Sequence, residues 1–385
     1  MKLYSDYFIV NSEKSGYAHL YQYSYSGNLL RQITSGNYEV TDFYGFDAIG
    51  NVYFQSTVTG ALNRVVSKLD KKGRIKHLSP EQGTSSAVFS PTMEYYVLNY
   101  SDVNAAPRYT MYNSIGRELR VLEDNAAYMS KYTTLPRKEF ITINNDEVEL
   151  NGYMIKPIDF DSSKKYPVIM SQYSGPGSQE VRNRWKMDWE YYYAQQGYIV
   201  VCVDGRGTGG RGKAFESVVY KRLGYYETLD QIAAAKYVAS LSYVDSSKIG
   251  IYGWSYGGYE TLMAISHNDS PYTAAVAVAP VTDWRYYDTV YAERYMLTPQ
   301  ENEDGYNEGS PMNRVSNVNC RLLLMSGTAD DNVHIQNTIE YVSKLQSKGK
   351  LCDMLIFPNM NHSIYHCNSR ALVYAKMLDY FNRNM

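Results

Sequence analysis

Five residues constrain the fold of this chain more than any others: Gly253, Trp254, Ser255, Tyr256 and Gly257. They follow the short apolar run Ile249–Tyr252 directly, and Gly258 and the helical stretch Tyr259–Ile265 come straight after. A serine carried on the turn from a strand into a helix, with a glycine two places to either side, marks a turn too tight for flanking side chains, and its hydroxyl is lifted clear of the sheet. Such a turn needs a strand buried on both faces, which is the habit of parallel sheets. The sequence supplies neighbours of the right kind. Tyr166–Met170, Tyr198–Val203, Lys248–Tyr252, Ala274–Val278, Arg321–Met325 and Asp353–Phe357 are short apolar runs separated by helical patterns such as Asp230–Ala239. The expectation is an α/β fold with a parallel sheet of at least six strands.

The first 130 or so residues follow another rule. His19 to Thr34 reads as a short strand, a turn at Gly27 and a second strand, and the same shape returns around Gly73 and Gly116. These glycines are 46 and 43 residues apart. A period in the forties made only of short strands is the blade period of a β-propeller. A β-sandwich also has regular hairpins, but the near-constant period favours the propeller. The chain therefore divides into a partial propeller of about three blade repeats at 1–135 and an α/β domain at 136–385.

Composition narrows the function by exclusion. In 385 residues, 44% hydrophobic and 20% charged is globular, and a net charge of −2 leaves no electrostatic footprint for nucleic acid. The four Cys form no Cys-x-x-Cys pair and no cluster with zinc spacing, so neither a disulfide framework nor a structural metal is expected. No run approaches the roughly 20 apolar residues of a membrane span, and Met1–Asp6 has no apolar stretch of the signal-peptide kind. The 41 Tyr outnumber the 10 Phe and 4 Trp together, which fits either aromatic-walled clefts or half-exposed sheet faces.

A serine at such a turn needs a base, and the base needs an orienting acid; in α/β-hydrolases they follow the serine in the order acid, histidine. The run Arg321–Met325 is followed by Asp330 and Asp331, between which periodicity cannot choose, and Asp353–Phe357 is followed by His362. Among the six His, His19 and His77 lie in the repeats, and His267 and His334 precede the last strand. His366 is the one rival, at a position better suited to a helix. His362 and His366 also stand four apart, but no Glu follows the first as a metalloprotease pair requires, so no metal is assigned. Gly205, Gly207 and Gly210 match a dinucleotide-binding spacing; a strand precedes that unit and Arg211–Gly212 stand where its helix should open, so a structural loop is expected and no cofactor.

Propeller repeats followed by Gly253–Tyr259 resemble the prolyl oligopeptidase family, and within it the dipeptidyl peptidase branch. The resemblance runs through Asp204–Thr208, Arg222–Gly224, Asp230–Gln231, Ala279–Val281, Tyr286–Asp288, Glu293–Tyr295 and Gly327–His334. It implies an α/β-hydrolase domain preceded by the last blades of an all-β propeller. It implies Ser255 as nucleophile, Asp330 as the acid and His362 as the base. Tyr173 and the backbone N–H of Tyr256 would stabilise the oxyanion, and Tyr256, Val281, Trp284, Tyr287, Tyr291 and Val333 would wall a proline pocket. Asn332 matches the residue that binds the carbonyl of the substrate's second residue. The implied reaction is release of N-terminal Xaa-Pro or Xaa-Ala dipeptides through an acyl-enzyme, with peptides as partners and a homodimer as in that family.

One departure matters. The family holds the substrate's ammonium with two adjacent propeller glutamates, and no Glu-Glu pair occurs here. The early blades and any anchor or leader would lie upstream, so the chain is expected to be the C-terminal part of a longer protein. A prolyl tripeptidyl peptidase, a carboxylesterase and a binding propeller with an inactive hydrolase half are the alternatives. Family members of this type are membrane-anchored, periplasmic or secreted. Of the Asn-x-Ser matches at Asn99, Asn268 and Asn361, the last straddles His362, where a glycan would obstruct the site, which favours a periplasm.

Overall fold

In the computed structural model, which describes residues 1–132, 134–145 and 148–385, the three turn glycines occupy equivalent places. Gly27, Gly73 and Gly116 have φ of +84°, +80° and +84°, a left-handed conformation that any Cβ disfavours. Each closes the hairpin between the third and fourth strands of a four-stranded antiparallel sheet. The sheets are Lys2–Leu3, Tyr7–Ser12, His19–Ser24 and Leu29–Gln32; Val40–Phe46, Val52–Ser56, Val65–Leu69 and Ile75–His77; and Thr84–Phe89, Tyr95–Asp102, Ala105–Asn113 and Glu118–Glu123. Consecutive strands are neighbours throughout, so each sheet is a meander of the propeller-blade kind. Their apolar faces cover one another in sequence. Ile9 and Leu20 of the first pack with Val40, Val52 and Phe54 of the second, and Tyr53 and Val66 of the second pack with Ala87, Tyr96 and Leu98 of the third. The outer strands Leu29–Gln32 and Glu118–Glu123 are exposed along their length.

The chain forms two compact units. The first is Met1–Leu135 together with two excursions of later sequence, Arg182–Met187 and Gly209–Glu216; the second is the remainder. Within the first, the excursion is pinned by Asn183, whose N–H donates to Leu62 O at 2.8 Å and whose Oδ1 accepts from Val103 N–H at 3.2 Å.

The second unit is built on one eight-stranded sheet: β1 (Lys138–Asn145), β2 (Val148–Ile155), β3 (Tyr166–Ser171), β4 (Ile199–Asp204), β5 (Val244–Trp254), β6 (Ala274–Val278), β7 (Arg321–Gly327) and β8 (Asp353–Phe357). Their spatial order is β1-β2-β4-β3-β5-β6-β7-β8. The six parallel strands are those expected from the apolar runs; β4 and β6 are buried at every residue. The antiparallel pair β1 and β2 is an addition. Its polar alternation, as in Thr142, Asn144 and Asn145, suits a half-exposed edge and carries no buried-strand signal. The order reverses at β3 and β4, and in such sheets binding crevices form beyond the carboxyl ends of the strands at that switch.

The glycine-rich stretch after β4 is a run of turns, and the next helix starts only at Lys213. It is held from beneath by Asp230 on helix α1 (Tyr226–Ala239). Asp230 is fully buried, and its carboxylate accepts from Arg206 Nη2 at 2.8 Å, from the Arg206 backbone N–H at 2.7 Å and from Asn145 Nδ2 at 2.6 Å. Asp230→Asn removes the carboxylate charge and turns an amide NH2 toward the N–H donors of Arg206 and Asn145, so it should destabilise the chain by about 1–3 kcal/mol. Urea denaturation checks this; a loss under about 1 kcal/mol would show that the pair is not holding the loop.

Candidate active site

The turn after β5 is where the second unit is under most local constraint. Ser255 stands between β5 and helix α2 (Tyr256–Ile265) with φ +62° and ψ −118°, a conformation that L-residues rarely adopt. The glycines around it are obligatory for contact reasons. A Cβ on Gly253 would overlap the Gly257 carbonyl, one on Gly257 would stand 2.5 Å from Gln172 O, and one on Gly258 would stand 2.8 Å from Val278 O. Two hydrogen bonds clamp the turn from its sides: Ser255 N–H donates to Val278 O at 2.8 Å, and Gln172 Nε2 donates to Gly257 O at 2.7 Å.

Tyr173, next to Gln172, lies 6.1 Å ring to ring from Tyr256, and its hydroxyl is close enough to Ser255 for that side chain to influence its titration. Burial raises the Tyr173 pKa against that opposing influence, so the phenol keeps its proton and can donate. Tyr256 is the first residue of α2. Its N–H is therefore one of those without a partner inside the helix.

The loops after β7 and β8 supply the other pair. Asp330 is only 6% exposed; its Oδ2 lies 2.8 Å from His362 Nδ1, and its Oδ1 accepts from the N–H groups of Asn332 at 3.0 Å and Val333 at 2.9 Å. Asp331 is exposed, so the geometry separates the two aspartates that the sequence pattern could not. The loops are tied to each other: Ala329 N–H donates to Met360 O at 3.0 Å, and Asn359 N–H donates to Thr328 Oγ1 at 2.8 Å. His366, placed in a helix by the sequence reading, lies instead in an exposed bend. Ile364 and Cys367 take positive φ on either side of it, which interrupts any helix before α3 (Ser369–Asn384) begins.

The expected pocket residues form one apolar cluster. Trp284, 1% exposed, lies 5.4 Å from Tyr256 and 5.9 Å from both Tyr287 and Tyr291, ring to ring, and Val281 and Val333 are buried in the same cluster. Tyr173 packs against it. Asn332 is exposed and accepts from the Tyr287 hydroxyl at 2.7 Å.

Sequence reasoning missed three members. Tyr259 stacks edge-on to Trp284 at 4.9 Å, and Tyr295 packs on Tyr291 at 4.9 Å. Beneath them Glu227 of α1, fully buried, accepts from the Tyr256 hydroxyl at 2.7 Å. Burial lifts the Glu227 pKa from 4.5 to about 7 in spite of that bond. Glu260 of α2 is buried beside it and pushed well up by burial and by the charge of Glu227. The signal available was Glu260 itself, a lone carboxylate in an otherwise uncharged helix run.

Residues 185–385 match the prolyl oligopeptidase family, and residues 2–107 match the dipeptidyl peptidase IV N-terminal region. The chain belongs to the prolyl oligopeptidase family, with blades of an all-β propeller followed by an α/β-hydrolase domain. The crystal structure of Porphyromonas gingivalis dipeptidyl peptidase 4 matches with a TM-score of 0.96 at 45% identity, over 100% of this chain and 55% of that one. A putative dipeptidyl aminopeptidase IV from Bacteroides ovatus matches with a TM-score of 0.90 at 29% identity, over 99% of this chain and 57% of that one. The probable dipeptidyl-aminopeptidase B of Chaetomium globosum is 41% identical over 367 residues, 90% of this chain and 39% of that protein. The chain thus spans about two fifths of the length of the curated relatives it matches.

The raised Glu227 pKa fixes the sign of a pH effect. Below about pH 4.5 the group is protonated whether the chain is folded or not; as pH rises toward 7 the unfolded chain ionises first, so folding loses stability across that window. The size is about 3 kcal/mol at 1.36 kcal/mol per unit. Glu227→Gln cannot ionise, so from pH 5 to pH 8 the variant should gain stability relative to the parent by about 2–4 kcal/mol. Denaturant curves at the two pH values measure it, and parallel curves would contradict it.

Proposed function

We propose that this chain carries the catalytic machinery of a serine exopeptidase that releases N-terminal dipeptides ending in Pro or Ala. Residues 136–385 form the catalytic domain and residues 1–135 the last blades of its propeller. The observation that carries the reading is a strained Ser255 whose neighbour Trp254 bonds the His362 backbone, with His362 bonded in turn to Asp330 and with Tyr173 packed against the Trp284 cluster. The three relatives, a dipeptidyl peptidase and two dipeptidyl aminopeptidases by name, support the register. Pairing of two copies, as in that family, is part of the same proposal.

In this reading Ser255 Oγ attacks the carbonyl of the substrate's second residue while His362 Nε2 takes its proton. Asp330, accepting at Nδ1, fixes the tautomer and stabilises the imidazolium. The oxyanion receives the Tyr173 hydroxyl and the Tyr256 N–H. His362 then protonates the departing amine, and water, with His362 again as base, cleaves the acyl-enzyme ester. The Trp284 cluster suits a pyrrolidine ring, which is flat, apolar and without an N–H to satisfy. With its Oδ1 engaged by Tyr287, Asn332 has its Nδ2 to donate. Because the second residue's carbonyl becomes the oxyanion, the acceptor proposed for Asn332 is the carbonyl of the first residue and not, as expected from the resemblance, that of the second.

Kinetics on a Gly-Pro anilide test the assignments. Asp330→Asn should lower kcat by on the order of 10⁴ with the fold intact, whereas Asp331→Asn should stay within about threefold of the parent. Equal losses at the two would show the acid wrongly assigned. Tyr173→Phe removes only the hydroxyl and should cost on the order of 10²–10³ in kcat; a near-silent change would make Tyr173 a packing residue. Because the chain has no Glu-Glu pair, it should hydrolyse the N-acetylated anilide about as well as the free amine. A strong preference for the free amine would mean that the ammonium is held by other residues of this chain.

A further inference from the structure

The elbow pattern leaves the residue before the serine unspecified, and here it is Trp254. Its indole is not part of the Trp284 cluster. The Nε1–H donates to the backbone carbonyl of His362 at 3.0 Å. The guanidinium of Arg370, at the start of α3, lies over the same indole, 4.4 Å from the ring centroid. The segment between β8 and α3 has no regular structure, and three of its residues, Asn359, Ile364 and Cys367, take positive φ. It is fastened at its start to the loop after β7, through Asn359 and Met360. Its middle is fastened by Trp254, and its end is fastened where Arg370 covers the indole. His362 is therefore held twice: Asp330 sets the rotation of its ring, and Trp254 sets where its backbone stands relative to the next residue along, Ser255.

We propose that Trp254 is a positioning residue for the catalytic base: its indole N–H, covered by Arg370, ties His362 to the elbow and so sets the Ser255–His362 approach. This rests on reading Ser255 and His362 as nucleophile and base. A tie of this kind acts on the chemical step and not on substrate binding, since a misplacement of about 1 Å can cost 10²-fold in rate.

The test is Trp254→Phe, which keeps an aromatic face for Arg370 and removes the donor together with one ring of the indole. The parent, Trp254→Phe and Ser255→Ala are treated with a small alkyl fluorophosphonate that does not need the aromatic pocket, and labelling of Ser255 is followed by intact mass. The expected result is a 10- to 100-fold fall in the limiting labelling rate for Trp254→Phe, with half-saturation within about twofold and faster amide hydrogen exchange confined to residues 358–368. Labelling at the parent's rate overturns the proposal, whatever the exchange shows. A fall in thermal stability with an unchanged labelling rate overturns it too, because that is what mere packing would give. No labelling of the parent overturns the hydrolase reading, and this proposal with it. If Trp254→Phe does not fold, Arg370→Gln replaces it, with a 3- to 10-fold slower labelling expected and an unchanged rate again overturning the tie.

Discussion

Everything at the candidate site depends on one close approach, that of Gly253 to the carbonyl of Gly257 across the Ser255 turn. A residue in the conformation of Ser255 costs on the order of 1–3 kcal/mol and persists only where its surroundings over-determine it. The surroundings here are the two strands on either side of β5. Val278, which ends β6, accepts the Ser255 N–H, and Gln172, just past β3, donates to Gly257. The same two grips place the rest of the site. One residue beyond Gln172 is Tyr173, beside the serine hydroxyl; a few beyond Val278 are Val281 and Trp284, in the aromatic cluster. The strain at the turn and the delivery of its partners are consequences of one sheet order.

The next two strands along, β7 and β8, add the acid and the imidazole, and their loops are bonded to each other before either reaches the elbow. Asp330 spends its second oxygen on two backbone N–H groups, which keeps the carboxylate fixed while the other oxygen faces His362. Below the site the chemistry is less comfortable. Glu227 and Glu260 are both buried, and for each the largest influence is burial, which the opposing pull of Arg314 on Glu260 does not outweigh. Glu227, lifted to about 7, shares its population between the protonated and ionised forms at neutral pH, and it accepts from the hydroxyl of Tyr256, the first residue of α2. Stability given up there lies under the residue whose N–H is assigned to the oxyanion.

Much of the fold was legible because it rests on period and burial. The glycines at 27, 73 and 116 mark one recurring left-handed turn, and the six apolar runs are the six parallel strands. The edge pair β1 and β2 escaped because half-exposed antiparallel strands carry polar residues that blur the pattern. His366 was misplaced because nothing in the residue order announces the positive φ of Ile364 and Cys367. At the site, Ser255 was readable from local sterics alone. Asp330 was preferred to Asp331 only through family resemblance, since the two differ only in which way a loop turns them; Asp330 is the one bonded to His362. The aromatic cluster came from family resemblance: Trp284, Tyr287 and Tyr291 lie in a short 3₁₀ turn, its end and a two-turn helix, too brief for any periodicity. The abundance of Tyr divides three ways: Tyr23, Tyr100 and Tyr112 are half-buried on sheet faces, Tyr53 and Tyr96 are fully buried between blades, and Tyr256, Tyr287 and Tyr291 pack around Trp284.

The central claim is that bond cleavage passes through an ester on Ser255. The measurement that bears on it most directly is rapid acid quenching of the enzyme turning over a slowly deacylated Xaa-Pro ester, followed by intact mass and peptide mapping. The account predicts a transient adduct of the dipeptidyl mass on the peptide containing Ser255, which decays as product appears. Steady turnover with that peptide unmodified throughout, or with the acyl group on another residue, would contradict it.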